Sequence, residues 1–284
     1  MIPGSADTWG CRVAWSERVV VRDGVRLVCR DWGGDGPPVL LLHGLAGHAG
    51  EWDQLAEGLG GRHRIVALDQ RGHGASERHP RDATRAAYVA DVIAVIDQLA
   101  LEGVVLGGQS LGGHAAMLTA AAAPDRVRGL VLIESGAGGP SANAAAHIGD
   151  WLDSWQLPFK TWASAVQFLG GGAIGEGWAA GLEQRDGGWW PRFDRDTMVN
   201  SIVELDERDF WAEWERVSCP TLLVLAQHGF IPLDEVDGML RRRPETTAVS
   251  IPGTRHDLHL QQPGVLLDRV SEFLGQLSQL GQAI

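Results

Sequence analysis

Short apolar runs recur along the chain without the polar alternation of a half-exposed strand. They occupy residues 39–42, 64–68, 104–106, 130–133, 221–225 and 247–251. Runs of this kind are typical of strands that are buried on both faces of a sheet. Between them lie segments in which apolar side chains return at intervals of three and four, the spacing of an amphipathic helix. These segments are residues 51–59, 84–101, 111–123 and 266–280. The alternation predicts an α/β fold whose open, mainly parallel sheet has helices on both faces.

Near its start the chain carries the pattern of a β-hairpin. Two runs rich in β-branched residues, 18–21 and 25–28, flank the pair Asp23-Gly24. Aspartate and glycine tolerate the positive φ angles that a tight two-residue turn requires. We therefore expect two antiparallel strands joined at this pair.

The alternation of strands and helices breaks between about residues 141 and 214, where no strand is predicted. This segment holds eight of the twelve tryptophans: Trp151, Trp155, Trp162, Trp178, Trp189, Trp190, Trp211 and Trp214. Because it lies between two core strands, we predict a helical cap over the carboxyl edge of the sheet rather than an independent domain. The predicted organisation is a core in two parts, residues 1–140 and 215–284, with the Trp-rich cap at 141–214.

The composition narrows the class of partner. The 284 residues include 36 acidic and 24 basic ones, which gives a formal charge of −12. This charge, without any basic stripe, argues against nucleic acid or a membrane surface and favours a small-molecule substrate. No apolar stretch reaches the roughly 18 residues of a membrane helix, and residues 1–20 lack the pattern of a secretory signal, so we expect a cytoplasmic protein. The sequence does not predict an oligomeric state.

Neither a metal nor a cofactor is expected. Cys11, Cys29 and Cys219 are odd in number and far apart, without metal-ligand spacing, which favours reduced thiols. His256 and His259 have the spacing of a metal pair, but no nearby acid completes a site.

The pentapeptide Gly108-Gln109-Ser110-Leu111-Gly112 has the pattern G-x-S-x-G. It follows one predicted buried strand and leads directly into a predicted helix, which is the context in which such a serine is a nucleophile. A serine on so sharp a turn takes a strained backbone conformation, and side chains at positions 108 and 112 would clash where strand and helix approach. Ser110 is therefore the candidate nucleophile.

Together with this turn, three further motifs resemble the α/β-hydrolase fold family. Residues 40–45, LLLHGL, resemble the family's strand and His-Gly-x turn, and residues 69–76, DQRGHGAS, are similar to its D-x-R-G-x-G-x-S stretch. Residues 253–256, GTRH, followed by Gln262-Pro263, resemble the segment that presents the catalytic histidine. The resemblance runs from the hairpin to the last helix, and it implies a mostly parallel, eight-stranded sheet with a helical cap.

The resemblance also implies an oxyanion hole formed by the backbone N–H groups of Leu45 and Leu111. Because backbone groups would stabilise the charge, we expect side-chain changes at position 45 to be mild. Gly44 and Gly112 matter more, since they let the chain approach. His43 resembles the family's structural histidine beside this turn.

A histidine is expected as the general base, because imidazole titrates near neutral pH and can both accept and return a proton. His256 lies just beyond the last predicted strand, where a loop would return to the carboxyl edge of the sheet, and His259 is the alternative. His48 and His114 lie close to the expected oxyanion hole, where they contact substrate or pack behind it. The residues interpreted as loop or surface histidines are His63, His73, His79 and His147.

The triad acid departs from the family's common pattern. Most members carry a carboxylate after the strand seen here at 221–225, but residues 226–232 read AQHGFIP. Asp234 and Glu235, which follow, look like the first turn of a helix, where acids favour the positive end of the dipole. Some branches, among them certain haloalkane dehalogenases and lipases, place the acid after the preceding strand, which here ends in Glu134. Glu134 is therefore the candidate acid, and Asp234, Asp257 or no strong acid are the alternatives.

Large rigid tryptophan rings can line an apolar pocket or hold a small cap on the core. We expect two or three of the eight cap tryptophans to face substrate. The candidates for substrate contact are His48, Trp52, Trp151, Trp155 and Trp189. The predicted function is a serine hydrolase that cleaves a small, largely apolar ester, lactone or thioester through an acyl-enzyme on Ser110. Carbon–carbon bond hydrolysis or perhydrolysis with the same triad, and a non-hydrolytic or ligand-binding member of the fold, are the alternatives.

Overall fold

A computed structural model describes residues 14–138 and 143–280. Its strands, in chain order, are β1 (Ser16–Arg22), β2 (Val25–Gly33), β3 (Pro38–Leu42), β4 (Arg64–Asp69), β5 (Val104–Gln109), β6 (Val127–Ile133), β7 (Glu183–Arg185), β8 (Gly188–Trp190), β9 (Thr221–Ala226) and β10 (Thr247–Ile251). Strands β7 and β8 form a separate two-stranded sheet, and the other eight form one sheet in the order β1-β2-β4-β3-β5-β6-β9-β10.

The sheet is mostly parallel, as predicted. Strands β1, β2 and β4 pair antiparallel, and every other neighbouring pair is parallel. All six residues of β5 are buried, which is why the central strands read as unbroken apolar runs. The β1–β2 turn has φ angles of 49° at Asp23 and 79° at Gly24, which confirms the predicted hairpin.

Helices cover both faces of this sheet. In chain order they are α1 (Asp53–Leu59), α2 (Arg85–Gln98), α3 (Leu111–Ala122), α4 (Ala144–Asp153), α5 (Trp162–Phe168), α6 (Gly172–Ala179), α7 (Arg195–Asn200), α8 (Val203–Glu207), α9 (Trp211–Arg216), α10 (Leu233–Arg242), α11 (Leu258–Gln261) and α12 (Pro263–Leu280), with short 3₁₀ helices at Ala49–Trp52 and Pro124–Arg126. Helices α2 and α3 bury apolar side chains in one core layer, and α1 and α12 bury theirs in the other. The predicted α/β architecture is confirmed.

The segment between β6 and β9 contains α4 to α9 and the β7–β8 hairpin. Its own apolar cluster includes Trp155, Phe159 and Met198, and this cluster reaches the sheet domain through Ala46. The prediction that this segment has no strand is wrong, because Glu183 pairs with Trp190 across a tight turn at Asp186 and Gly187. The domain boundary predicted at 140–141 lies outside the described residues and stays a prediction.

Cys29 and Cys219 are free, buried thiols, and Cys11 lies outside the described residues. Burial raises the pKa of the Cys219 thiol to about 11. Within residues 14–138 and 143–280, no helix is both long and apolar enough to cross a membrane.

Candidate active site

Ser110 lies on the turn between β5 and α3, at the carboxyl edge of the sheet. Its backbone has φ 51° and ψ −118°, a conformation that costs a non-glycine residue energy and persists only where the surroundings impose it. Its N–H donates to the carbonyl of Ile133 at 3.0 Å. A Cβ at Gly108 would lie 2.5 Å from the backbone of α3, and one at Gly112 would lie 2.5 Å from the backbone of β3. The predicted need for glycine at both positions is confirmed.

His256 lies in the loop between β10 and α11 and is half-buried. The side-chain amide of Gln109 donates to its Nε2 at 3.0 Å and to its backbone carbonyl at 3.2 Å. On the other side of the ring, Nδ1 lies 3.5 Å from Oε2 of Glu134. The Phe230 ring stacks against the imidazole with centroids 3.9 Å apart. This arrangement fixes the tautomer with the proton on Nδ1, because Nε2 accepts a hydrogen bond.

Glu134 follows β6 directly and has φ 46°. Its side chain is buried, and its Oε1 accepts from the backbone N–H of Ala226 at 2.6 Å. The other oxygen faces His256. A carboxylate beside Nδ1 can orient an imidazole and stabilise the imidazolium that forms when Nε2 takes a proton. The 3.5 Å separation is longer than the usual 2.6–3.2 Å, as is common for such contacts before substrate binds.

Gly229 makes room for this carboxylate. It belongs to the loop after β9, where the family's common pattern would carry the acid. A Cβ at position 229 would lie 2.6 Å from the carboxyl carbon of Glu134. The loop after β9 therefore lacks both a carboxylate of its own and a side chain that would exclude one from β6.

The alternative acids, Asp234 and Asp257, and the alternative base, His259, lie in surroundings that differ from those of Glu134 and His256. Asp234 lies in the first turn of α10, as predicted, and it lines the same cavity as Asp257. Burial raises the pKa of the Asp257 carboxyl. Neither carboxylate is hydrogen-bonded to His256 in the part of the chain that the structure describes. His259 is buried, and its Nε2 lies 3.1 Å from Oε2 of Glu51.

The two residues whose backbone N–H groups are expected to form an oxyanion hole line the same cavity. Leu45 and Leu111 both line the cavity that contains Ser110. Leu111 is the first residue of α3, so its N–H is one of those that a helix leaves without an internal partner. His43 is fully buried behind them. Its Nε2 accepts from the N–H of Gln70 at 3.0 Å, and its Nδ1 donates to the carbonyl of Gly44 at 2.7 Å, which confirms the structural role expected for it.

A cavity of about 850 Å³ opens above Ser110, between the sheet domain and the inserted segment. Apolar residues from both parts line it, among them Leu45 and Ile231 of the sheet domain and Ile148 and Ile202 of the inserted segment. The inserted-segment tryptophans that line it are Trp151, Trp178 and Trp211. The volume suits a small molecule of drug size.

Four of the five candidates for substrate contact lie elsewhere, and only Trp151 lines the cavity. His48 caps the 3₁₀ helix through its Nδ1, and its Nε2 donates to the carbonyl of Gly177 at 3.0 Å. Trp52 is fully buried in the core beside His259. The other two pack within the inserted segment, Trp155 against phenylalanines and Trp189 against Trp162. Expecting contact at these four positions was wrong because each ring fills a packing site of its own.

The interpretation of His73 as a loop or surface residue is also wrong. Its ring is fully buried, its Nε2 accepts from the N–H of Ala46 at 3.1 Å, and its Nδ1 donates to the carbonyl of Arg71 at 2.8 Å. Burial lowers the pKa of His73 to about 4. The side chain thus holds the turn that carries Leu45.

Sequence reasoning missed three residues that line the cavity, Gln109, Phe230 and Arg85, and it missed Gly229 beside Glu134. Gln109 occupies a variable position of the serine motif, and Phe230 and Gly229 lie in a loop searched only for an acid. Arg85 lines the cavity as well, but it resembles any arginine in the first turn of a helix. Only the position of Gln109, next to the nucleophile, is a signal that the sequence offered.

Comparisons with known proteins agree with this geometry. The model of the Alpha/beta hydrolase family matches residues 39–269. The sn-1-specific diacylglycerol lipase of Mus musculus is 28% identical over 256 residues, which cover 84% of this chain and 81% of that protein. The 2-(acetamidomethylene)succinate hydrolase of Mesorhizobium japonicum is 26% identical over 254 residues, which cover 85% and 89%.

Solved structures give the same result. The crystal structure of E-2-(acetamidomethylene)succinate hydrolase matches with a TM-score of 0.83 at 25% identity, covering 92% of this chain and 99% of that one. A thermophilic esterase from Thermogutta terrifontis matches with a TM-score of 0.74 at 25% identity, covering 92% and 99%. These relatives are named as hydrolases or esterases.

Proposed function

Because this chain belongs to the alpha/beta hydrolase family, we propose that it is a serine hydrolase that cleaves a small, largely apolar ester, lactone or thioester through an acyl-enzyme on Ser110. The observation that carries this proposal is the meeting of three side chains at one cavity. Ser110 occupies a strained turn, His256 lines the same cavity, and the buried carboxylate of Glu134 faces the ring of His256.

Each of these groups has a role in acyl transfer. Ser110 Oγ attacks the carbonyl carbon while Nε2 of His256 takes the hydroxyl proton, and Glu134 stabilises the resulting imidazolium. The N–H groups of Leu45 and Leu111 donate to the oxyanion of the tetrahedral intermediate. His256 then returns the proton to the leaving group, which departs to leave the acyl-enzyme. A water molecule, deprotonated by the same nitrogen, releases the acid and restores Ser110.

The first step requires His256 to change its hydrogen-bond partner. Its Nε2 accepts from Gln109, and this lone pair must turn toward Ser110 Oγ before it can take a proton. The backbone on both sides is fixed, since Gln109 and Ser110 are adjacent at the end of β5. The two donors are therefore neighbours in the chain, and the imidazole exchanges the amide of Gln109 for the hydroxyl of Ser110.

The lining of the cavity supports the substrate class. Trp151, Trp178 and Trp211 supply broad apolar surface close to the serine, and such surface binds the hydrocarbon part of a small ester or thioester. The reaction needs no cofactor, because the serine and the imidazole supply the nucleophile and the base.

Intact-mass spectrometry after treatment with a fluorophosphonate tests the proposal. We expect one adduct on the natural protein, none on Ser110→Ala, and labelling slowed by orders of magnitude in Glu134→Gln. Ser135→Ala is the matched control, because Ser135 lines the same cavity but has no role in the mechanism. Labelling of Ser110→Ala at the natural rate would refute the nucleophile. A folded natural protein without an adduct would favour the non-hydrolytic or ligand-binding alternative.

A panel of aryl esters, thioesters and lactones then identifies the bond that is cleaved. Hydrolysis that depends on Ser110 for at least one of the three supports the proposed class. Reaction only with a carbon–carbon substrate, or only with hydrogen peroxide present, would replace it with one of the alternatives that use the same three residues.

A further inference from the structure

Arg85 is buried, and its guanidinium forms no salt bridge with any carboxylate of the described residues. It begins α2 and is only 1% exposed, yet its Nε and Nη1 have no hydrogen-bond partner within residues 14–138 and 143–280. Its Nη2 donates to the carbonyl of Ser201, and its guanidinium carbon lies 4.8 Å from the centre of the Tyr88 ring. These two contacts hold the guanidinium in place but leave two of its nitrogens without an acceptor.

The same fold pairs another buried arginine fully. Arg71, equally buried, donates from Nε and Nη2 to the two carboxylate oxygens of Asp91 at 2.6 and 2.7 Å. The acid beside Arg85 is Glu204, but its Oε1 accepts from the backbone N–H of Arg85. An unpaired buried charge is costly, and such groups are usually paired or bind a ligand.

His114 is the second polar side chain without a partner here. It is buried on α3, and its ring meets Phe210 edge-on at 4.4 Å. Neither ring nitrogen has a hydrogen-bond partner among the residues that the structure describes. Burial, and then the charge of Arg85, hold the pKa of His114 well below its usual range. The neutral ring offers one N–H donor. Both Arg85 and His114 line the cavity that contains Ser110.

We propose that Arg85 and His114 form a subsite for a carboxylate carried by the substrate. Nη2 has two N–H groups and gives one to Ser201. Its other N–H, together with the free Nε or the free Nη1, makes a planar pair of donors that suits the two oxygens of a carboxylate. His114 follows Ser110 by one helical turn, about 6 Å along α3, so the carboxylate lies a few bonds from the carbonyl that is attacked. Asp234 and Glu235 line the cavity from α10 and repel an anion there, which favours the side formed by α2 and α3.

This inference rests on the proposed function and makes the substrate class more specific. The substrate is largely apolar but ends in one carboxylate, as in the half-ester of a short dicarboxylic acid. A neutral substrate of the same length would leave the guanidinium unpaired and is expected to react more slowly.

Two matched esters test the subsite by kinetics. The 4-nitrophenyl half-ester of glutaric acid carries the carboxylate, and the 4-nitrophenyl ester of glutaric acid monoamide is its neutral counterpart. On the natural protein we expect kcat/KM to be about 10- to 100-fold higher for the charged ester. Arg85→Met should bring that ratio close to one, mainly by lowering the value for the charged ester. Arg243→Met, at a buried arginine outside the cavity, should leave the ratio unchanged.

Arg85→Lys keeps the charge without the fork and should retain an intermediate ratio, and near-ultraviolet circular dichroism checks that each variant is folded. A natural ratio of one or less, or an unchanged ratio in folded Arg85→Met, overturns the subsite.

Binding of glutarate to Ser110→Ala separates this inference from the proposed function, because it needs no chemistry. Quenching of tryptophan fluorescence should report saturable binding that weakens by about 10-fold or more in the Ser110→Ala, Arg85→Met double variant. If glutarate binds in this way and the natural protein hydrolyses no ester, the subsite is supported and the hydrolase is refuted. Hydrolysis of both esters with no effect of Arg85 supports the hydrolase and refutes the subsite. Binding of inorganic phosphate in preference to glutarate overturns the carboxylate assignment.

Discussion

The substitution Gly229→Ala adds one methyl group beside Glu134 and tests whether this carboxylate acts through His256. The backbone at position 229 lies outside the left-handed region, so alanine adds volume without backbone strain. Its Cβ would lie 2.6 Å from the carboxyl carbon of Glu134. Since carbon atoms pack at roughly 3.5 Å or more, the carboxylate must move by about 1 Å. Oε1 of Glu134, which accepts a hydrogen bond from the N–H of Ala226, resists that movement.

The expected cost follows from this displacement. A misplacement of about 1 Å near the reacting groups can lower a rate by on the order of 10²-fold, which is about 2.7 kcal/mol of transition-state stabilisation. Removing the charge altogether, in Glu134→Gln, should cost more, about 10⁴-fold in kcat. We therefore expect the kcat of Gly229→Ala for a neutral 4-nitrophenyl ester to lie between that of the natural protein and that of Glu134→Gln.

A double-mutant cycle distinguishes this effect from general damage to the loop. In the Glu134→Gln background, Gly229→Ala should cost only a few-fold, because the interaction it disturbs is already lost. Gly275→Ala is the matched control, since a Cβ at that position on α12 meets no atom within 4 Å, and it should leave kcat unchanged. Natural kcat in Gly229→Ala, or an equal loss in both backgrounds, would refute the role assigned to Glu134.

Two further outcomes are expected from buried histidines. His73 has a pKa of about 4 in the native protein and stays neutral there, whereas the unfolded chain takes up a proton at this side chain below about pH 6.5. The unfolding free energy is therefore highest above pH 6.5 and falls as the pH drops toward 4. The loss is about 3 kcal/mol between pH 7 and pH 4, and urea titrations should show a flatter pH dependence for His73→Gln; equal slopes would contradict this. His48→Ala removes the hydrogen bond to Gly177 and should lower the unfolding free energy by about 1 kcal/mol. The kcat/KM for a small neutral ester should change little. A large rise in KM without loss of stability would mean that His48 contacts substrate.

The parts of the fold that could be predicted from sequence are those determined by local pattern. The unbroken apolar runs and the pair Asp23-Gly24 specify strands and a turn within a few residues of themselves, and each lies where the pattern predicts it. The β7–β8 hairpin was missed because its strands are three residues long, too short to show alternation. Substrate contacts were predicted less well, because a tryptophan that lines a cavity and one that fills a core have the same sequence signal.

Arg71 and Arg85 show most clearly what cannot be predicted from sequence alone. Both are arginines in polar stretches of the chain, and both end with 1% of their surface exposed. Arg71 is neutralised by Asp91, 20 residues away. The guanidinium of Arg85 finds a single hydrogen-bond acceptor in the described part of the chain, the carbonyl of Ser201, 116 residues away. A sequence read alone does not reveal which buried charge lacks its partner, because that depends on which distant elements come together. The unpaired one lines the cavity beside Ser110, and this is why the specificity of the site had to be inferred from the structure.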